Sequence, residues 1–423
     1  MKAVLPFTRW LPMWQQKEVW RADLMAGLIG AIVVLPQGVA FATLAGMPPA
    51  YGLYAAMVPC VVAALFGSSR LMVTGPANAI SLTTMALVAP LAVVGSPQYV
   101  GLVITLTVMV GALQLLLGFA RVGKWVDKVP HSVIAGFTAG AAILIVNSQV
   151  GTILGMDLPR GLSVVQTVQA VFTAEQPVLL LPVVAVLATL LIHSVAQRFS
   201  RWAPPILLAV LGGTAITWWV AALTGTQPSS VQELPGAFPP LSMPDLRQVP
   251  DLLLPALVMT LLAVTEAMAI GKMVAQRAHE PFDGNQELMG QGLANLTGSF
   301  FSSYPASGSF NRSGLNVAAG ARTPLAAVLA AVLLVVILFF VAPWTQWLPL
   351  AVIAALLLIV AWGLINLREL RHLWQHEPLD RVSLVVTFLG TVTVSLEWAI
   401  LGGLAMAWLT RQWVRRFGSS HER

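Results

Sequence analysis

Fourteen runs of apolar residues fill almost the whole chain, at about 24–45, 50–66, 76–91, 99–120, 131–150, 177–195, 204–223, 252–272, 286–301, 308–320, 323–342, 347–364, 381–395 and 396–411. Each is bounded by charge, glycine or proline. A helix of about 20 such residues is as long as the hydrocarbon core of a bilayer is thick. No water enters that layer to satisfy backbone N–H and C=O groups, so consecutive runs of this kind must be helical there. The predicted fold class is an all-α polytopic membrane protein. Composition agrees, since only 9% of residues are charged against roughly 25% in an ordinary soluble domain. Runs three, nine, ten and the last two are too short to cross straight. Backbone that stops inside a membrane must line a cavity or be covered by neighbours.

The charges set an orientation. If the N-terminus is cytoplasmic and all fourteen runs alternate, 20 of the 23 Lys and Arg residues fall inside. Only Arg160 and Arg247 fall outside, and Arg312 lies within a run. This asymmetry predicts cytoplasmic N- and C-termini. It also disposes of nucleic acid as a partner, because the net charge of +6 is spread between runs and makes no basic, aromatic-interleaved face. Residues 1–21 lack a signal peptide's apolar core and cleavage site. Trp10, Trp14 and Trp20 among Lys and Arg there suit a segment lying on membrane lipid, or a loose tail.

The two halves echo each other. Short run three opens on Thr74-Gly75-Pro76-Ala77-Asn78, and short run ten on Ser307-Gly308-Ser309-Phe310-Asn311. Gly75 and Gly308 are 233 residues apart, as are Pro48 and Pro281, while Gly67 and Gly298 in the preceding loops are 231 apart. Offsets within two residues of each other at three landmarks predict a repeat of seven spans, and an odd repeat must insert upside down. A 7+7 inverted repeat with short half-helices at spans 3 and 10 points to a transporter's binding site. Each half-helix N-terminus offers unpaired N–H groups and about half a positive charge. Two such ends around one cavity suit an anion. Gly75 and Gly308 let backbone approach the ligand, and Pro76 is placed in the first helical turn.

Arg312 stands in the first turns of run ten, inside the apolar layer, where an Arg normally faces a cavity or a partner. It reads as the group that selects a small inorganic or carboxylate anion, with a salt bridge to Glu266 as the structural alternative. Glu266 reads as the one acidic residue deep in a long run. Burial favours its protonated form and a nearby Arg its ionised form, so it suits a proton-coupling group. The alternatives are a permanent partner of Arg312, or a cation (sodium) ligand together with Thr265. Gln37 can donate to an oxyanion, and Phe41, four residues on, can present its ring edge from the same helix face. Gln114, Asn147 and Gln149 read as interhelical hydrogen-bond partners. Cys60 is the only cysteine, excludes a disulfide, and reads as a small buried side chain. The six histidines form no metal cluster, and no nucleophile–base set or P-loop is visible, so neither an enzyme nor a resident cofactor is predicted.

Leu35-Pro-Gln-Gly-Val-Ala-Phe-Ala42, Gly46-Met-Pro-Pro-Ala-Tyr-Gly-Leu-Tyr54, Phe66-Gly-Ser-Ser-Arg70, Gly75-Pro-Ala77, Asn285-Gln-Glu-Leu288, Gly292-Leu-Ala-Asn295, Gly308-Ser-Phe-Asn-Arg312 and Gly320-Ala-Arg-Thr-Pro324 follow in order along nearly the whole chain. In them the sequence resembles the sulfate permease family, the bacterial and plant relatives of the SLC26 anion transporters. The resemblance implies a core domain of residues 22–128 and 251–344 and a gate domain of residues 129–250 and 345–416. It implies an elevator motion of core against gate, an anion site lined by Gln37, Phe41, Ala77, Ser309, Asn311 and Arg312, and coupling at Glu266. With Gly75, Asn78, Gly308 and Phe310 these make the candidate substrate-binding set. The expected activity is uptake of sulfate by proton symport across the inner membrane, by a homodimer; bicarbonate or C4-dicarboxylate transport, with proton or sodium coupling, and passive exchange are the alternatives. Family members commonly continue into a STAS domain after the last span; here residues 417–423 read as a tail without one. Members also often carry Asp near the start of the last span, where this chain has Ser395 and Glu397.

Overall fold

The computed structural model describes residues 6–123, 130–158, 162–174, 176–199, 205–231, 236, 238–394 and 396–417. Each of the fourteen predicted runs carries helix. After a short α1 (Leu11–Trp14), run one is α2 (Lys17–Leu44), which continues through Pro36. Run two divides into α3 (Pro49–Tyr54) and α4 (Val58–Phe66). Pro59 explains the break, because its ring clashes with the carbonyl four residues back and it has no N–H to give. A two-residue strand, β1 (Thr74–Gly75), leads into α5 (Asn78–Val88), and α6 (Pro97–Phe119) follows. Next come α7 (His131–Leu154), α8 (Val164–Thr173), α9 (Leu180–Phe199) and α10 (Pro205–Thr224). The second half opens with α11 (Leu253–Arg277) and α12 (Gly284–Phe300), then β2 (Ser307–Gly308) and α13 (Phe310–Ala318). It closes with α14 (Leu325–Val341), α15 (Leu350–Leu364), α16 (Leu367–His376), α17 (Pro378–Thr393) and α18 (Leu396–Phe417).

Among the described residues nine helical stretches are long and apolar enough to cross a membrane. The half-helices are not: α5 and α13 have 11 and 9 residues. At about 1.5 Å per residue, each is roughly half the thickness of a hydrocarbon core.

The chain forms two units. One comprises Met1–Asp127 and Leu181–Leu356; the other comprises Lys128–Leu180 and Leu357–Arg423. In the first, α6 packs along α12, α14 along α2, and α4 along α12. In the second, α17 packs between α7 and α18, with Leu373 of α16 sealed against Ala135 and Leu384. The side chain of Glu397, and Ser395, lie outside the described residues.

In the N-terminal segment Trp14 Nε1 donates to Thr323 Oγ1 at 2.7 Å, Arg70 lies 5.3 Å over the Trp10 ring, and Trp20 is exposed. Two expectations need correction. Glu266 is not the only deeply placed acid, since Asp23 of α2 and Glu287 of α12 are fully buried. Asp23 escapes a reading of apolar runs because α2 begins seven residues before its run. Pro76 precedes the first turn of α5, whose N-cap is Ala77, so it stiffens the approach and does not start the helix. Of the polar residues in long helices, Gln114 does bond across helices, accepting from Asn295 Nδ2 at 2.8 Å. Asn147 donates instead to the Leu162 carbonyl, and Gln149 to its neighbour Ser148.

Candidate substrate site

The two glycine-containing openings meet. β1 and β2 pair antiparallel, Thr74 with Gly308 and Gly75 with Ser307, although 233 residues separate the glycines. Ser309 N–H donates to the Val73 carbonyl at 2.9 Å and extends the ladder. Each strand leads within two residues into a short helix, so α5 and α13 both start beside this crossing of the two strands. Around the crossing, α2 packs on α5 and α13, while α11 packs on α5, β2 and α13. These are the elements that carry every candidate site residue.

α5 has no side-chain cap: Ala77 holds the N-cap position in extended conformation (φ −132°, ψ 154°). The amides of its first turn therefore have no intrahelical partner. Asn78 is buried beside them, and its Oδ1 has no hydrogen-bond partner. α13 is capped by Ser309 Oγ, which accepts from Arg312 N–H at 3.5 Å. Phe310 and Asn311 at its first two positions are exposed, Phe310 by 57%.

Arg312 is only 6% exposed. Its Nη1 donates to the Thr74 carbonyl at 3.1 Å and its Nη2 to Cys60 Sγ at 3.7 Å, while Nε has no partner. The guanidinium passes so close to β1 that a Cβ on Gly75 would collide with Nη1. Gly75 is therefore required by this side chain's path. No salt bridge joins Arg312 to Glu266, so the structural alternative for this Arg is not what the described residues form.

Glu266 Oε2 is buried without a partner, and Thr265 Oγ1 donates to the Leu261 carbonyl of its own helix at 2.7 Å. On α2, Gln37 is 4% exposed with Oε1 unpartnered, and Phe41 is buried one turn on. Buried polar atoms are nearly always satisfied in native proteins. Gln37 Oε1, Asn78 Oδ1, Glu266 Oε2 and Arg312 Nε are four of the fourteen such atoms among the described residues, and they stand on α2, α5, α11 and α13, the helices that pack about the crossing.

The approach to β1 is held by carboxylates. Glu287 accepts from Ser68 N–H and Ser69 N–H at 2.9 and 3.0 Å and from Gln291 Nε2 at 2.9 Å. Gln291 Nε2 also reaches Thr74 Oγ1 at 2.7 Å, so Glu287 is linked to the strand that Arg312 grips. Glu280, in the loop after α11, accepts from Arg70 N–H at 3.0 Å. Burial pushes its carboxyl above the usual range; the Arg70 amide and guanidinium pull it back, and the charge of Glu287 adds to the push. Asp23 does the same work for the loop before α14, accepting from the Arg322 and Thr323 amides and from Thr323 Oγ1. Sequence reasoning does not place Asp23, Glu287 or Cys60 in this machinery. The Asn285-Gln-Glu-Leu288 stretch, with its charge inside an apolar run, is the one signal for Glu287. The apolar cleft of about 570 Å³ in the second unit offers an anion little, since the amide of its Asn147 is already spent on Leu162.

Short helices that start beside one strand crossing inside an apolar bundle define a class, the polytopic membrane proteins with broken helices. The sulfate permease family model matches residues 20–387. A chloroplastic sulfate transporter of Arabidopsis thaliana, "Sulfate transporter 4.1", is 32% identical over 414 residues, 96% of this chain and 60% of that protein. A probable sulfate transporter of Mycobacterium tuberculosis is 30% identical, over 96% of this chain and 72% of its own length. The chain thus spans about three fifths of the plant relatives' length. The inward-facing structure of the murine Slc26a9 anion transporter superposes with a TM-score of 0.87 at 24% identity, over 97% of this chain and 71% of that one. The transmembrane domain of the cyanobacterial bicarbonate transporter BicA superposes with a TM-score of 0.81 at 25% identity, over 93% and 98%. The chain belongs to the sulfate permease family, whose members are transporters and not enzymes.

Proposed function

We propose that this protein carries a small oxyanion, sulfate in the first place, by proton symport. The observation that carries the reading is that unpartnered buried atoms stand on Gln37, Asn78, Glu266 and Arg312, on the helices that pack at an uncapped helix start. The α5 amides supply directional donors and Arg312 a full positive charge, so the site attracts anions and repels cations. Gln37 and the Asn78 side chain add hydrogen-bonding groups, and Phe41 closes the apolar side. Glu266 supplies the coupling. While ionised it repels an incoming anion; protonation removes that repulsion, so proton and anion enter together. Alternating access follows an elevator pattern, with the half-helix site travelling as one body. The working arrangement is a 7+7 inverted repeat in the inner membrane, as a homodimer with both termini cytoplasmic.

Bicarbonate is the second reading, favoured by the likeness to BicA over 93% of the chain. Uptake of labelled sulfate, bicarbonate and fumarate into proteoliposomes, under imposed proton and sodium gradients, separates the readings. Sulfate uptake driven by an inward proton gradient and indifferent to sodium is expected. Glu266→Gln should abolish pH-driven uptake and leave anion exchange intact; unchanged proton coupling in that variant would sink the role given to Glu266.

A further inference from the structure

The setting of Arg312 is unusual for a buried charge. A guanidinium inside an apolar layer is ordinarily neutralised by a carboxylate, because an unpaired buried charge is costly. Here the described surroundings contain no such partner within ion-pair distance. The two contacts that hold the side chain are both neutral acceptors, the Thr74 carbonyl and the sulfur of Cys60. Cys60 stands in the first turn of α4 and is fully buried. Its thiol donates to the Ala327 carbonyl of α14 at 3.6 Å, and its sulfur accepts from Arg312 Nη2.

We propose that Cys60 is a positioning residue for Arg312: a small neutral acceptor that fixes the guanidinium beside β1 and leaves its charge available to the anion. The inference rests on the reading of Arg312 as an anion ligand. A carboxylate in the same place would form a bidentate pair with the guanidinium and cancel its charge. An aliphatic side chain would leave Nη2 without an acceptor and the guanidinium free to turn. A thiol, a weak acceptor, avoids both outcomes.

The test compares Cys60→Ala, Cys60→Ser, Cys60→Asn, Cys60→Asp and Arg312→Ala in the full chain. Uptake of labelled sulfate, and of labelled bicarbonate in parallel, is measured in proteoliposomes at one pH. Cys60→Asp should raise KM about tenfold or more, as Arg312→Ala does, whereas the neutral isostere Cys60→Asn should stay within about threefold. Cys60→Ala should raise KM several-fold at unchanged kcat, and Cys60→Ser should restore it. Equal KM values for the Asn and Asp variants, with Arg312→Ala still impaired, overturn the role of Cys60 alone. An unchanged KM in Arg312→Ala overturns both the anion-ligand reading and this inference. If Cys60→Asp does not fold, the Ala and Ser pair decides: a wild-type KM in Cys60→Ala overturns the proposal.

Discussion

The two half-helix starts share one geometry and divide the chemistry between them. α5 begins on an uncapped Ala77, with its first amides open and Asn78 beside them. α13 begins on Ser309, which spends its hydroxyl on the amide of Arg312. What α13 contributes is a side chain, Arg312, reaching back across Gly75 to the strand of the other half. The two openings thus supply two helix ends, each with about half a charge. A full charge is costly to bury, so it is carried once. On the proposed reading, one half offers directional donors and the other the charge that sets the sign of the ligand.

The largest effect that can break this comparison is at the paired glycines. Gly75→Ala would drive a methyl into Arg312 Nη1, whereas a Cβ on Gly308 meets the flexible Met72 sulfur at 2.8 Å. Gly75→Ala should cut anion affinity tenfold or more, and Gly308→Ala by about threefold at most, read as KM in the uptake assay. Equal losses would mean that the two halves are equivalent after all.

Exchanging the caps gives a smaller effect of opposite sign on the two helices. Ala77→Ser should cap α5, raise the melting temperature in detergent, and raise KM a few-fold by competing with the anion for the open amides. Ser309→Ala should cost about 0.5–2 kcal/mol of stability and leave KM nearly unchanged. A weaker anion affinity after Ser309→Ala alone would reverse the assignment of donors.

The smallest effect sharpens the comparison at the approach loops. Asp23 holds the loop after α13, while Glu280 and Glu287 hold the loop before β1. The folded state binds the Glu280 proton more tightly than the unfolded chain does. Its contribution is therefore fully present at low pH and is lost as pH rises from the ordinary 4.5 through the raised value. The melting temperature should fall slightly across that window, and Glu280→Gln should flatten the fall.

Much of the candidate site is legible in the sequence alone. Arg312 and Glu266 stand out because a charge inside an apolar run has few structural excuses. Gly75 and Gly308 stand out because one offset repeats. Glu287 is within reach in the same way, yet its charge sits at the very start of its run and reads as a boundary residue. Cys60 gives no signal at all: it is one small side chain in an apolar stretch, and only the approach of Arg312, 252 residues away in sequence, singles it out.

By itself the sequence determined the helices, their order, the orientation signal and the internal echo. These follow from local length, polarity and spacing along one dimension. Only the tertiary structure decided that β1 and β2 pair, that Arg312 is seated on a carbonyl and a thiol without a carboxylate, and that α5 is left uncapped. Those facts depend on which distant segments touch, and a run of apolar residues packs equally well against many others. The contacts that select one arrangement are polar, few and separated by more than two hundred residues.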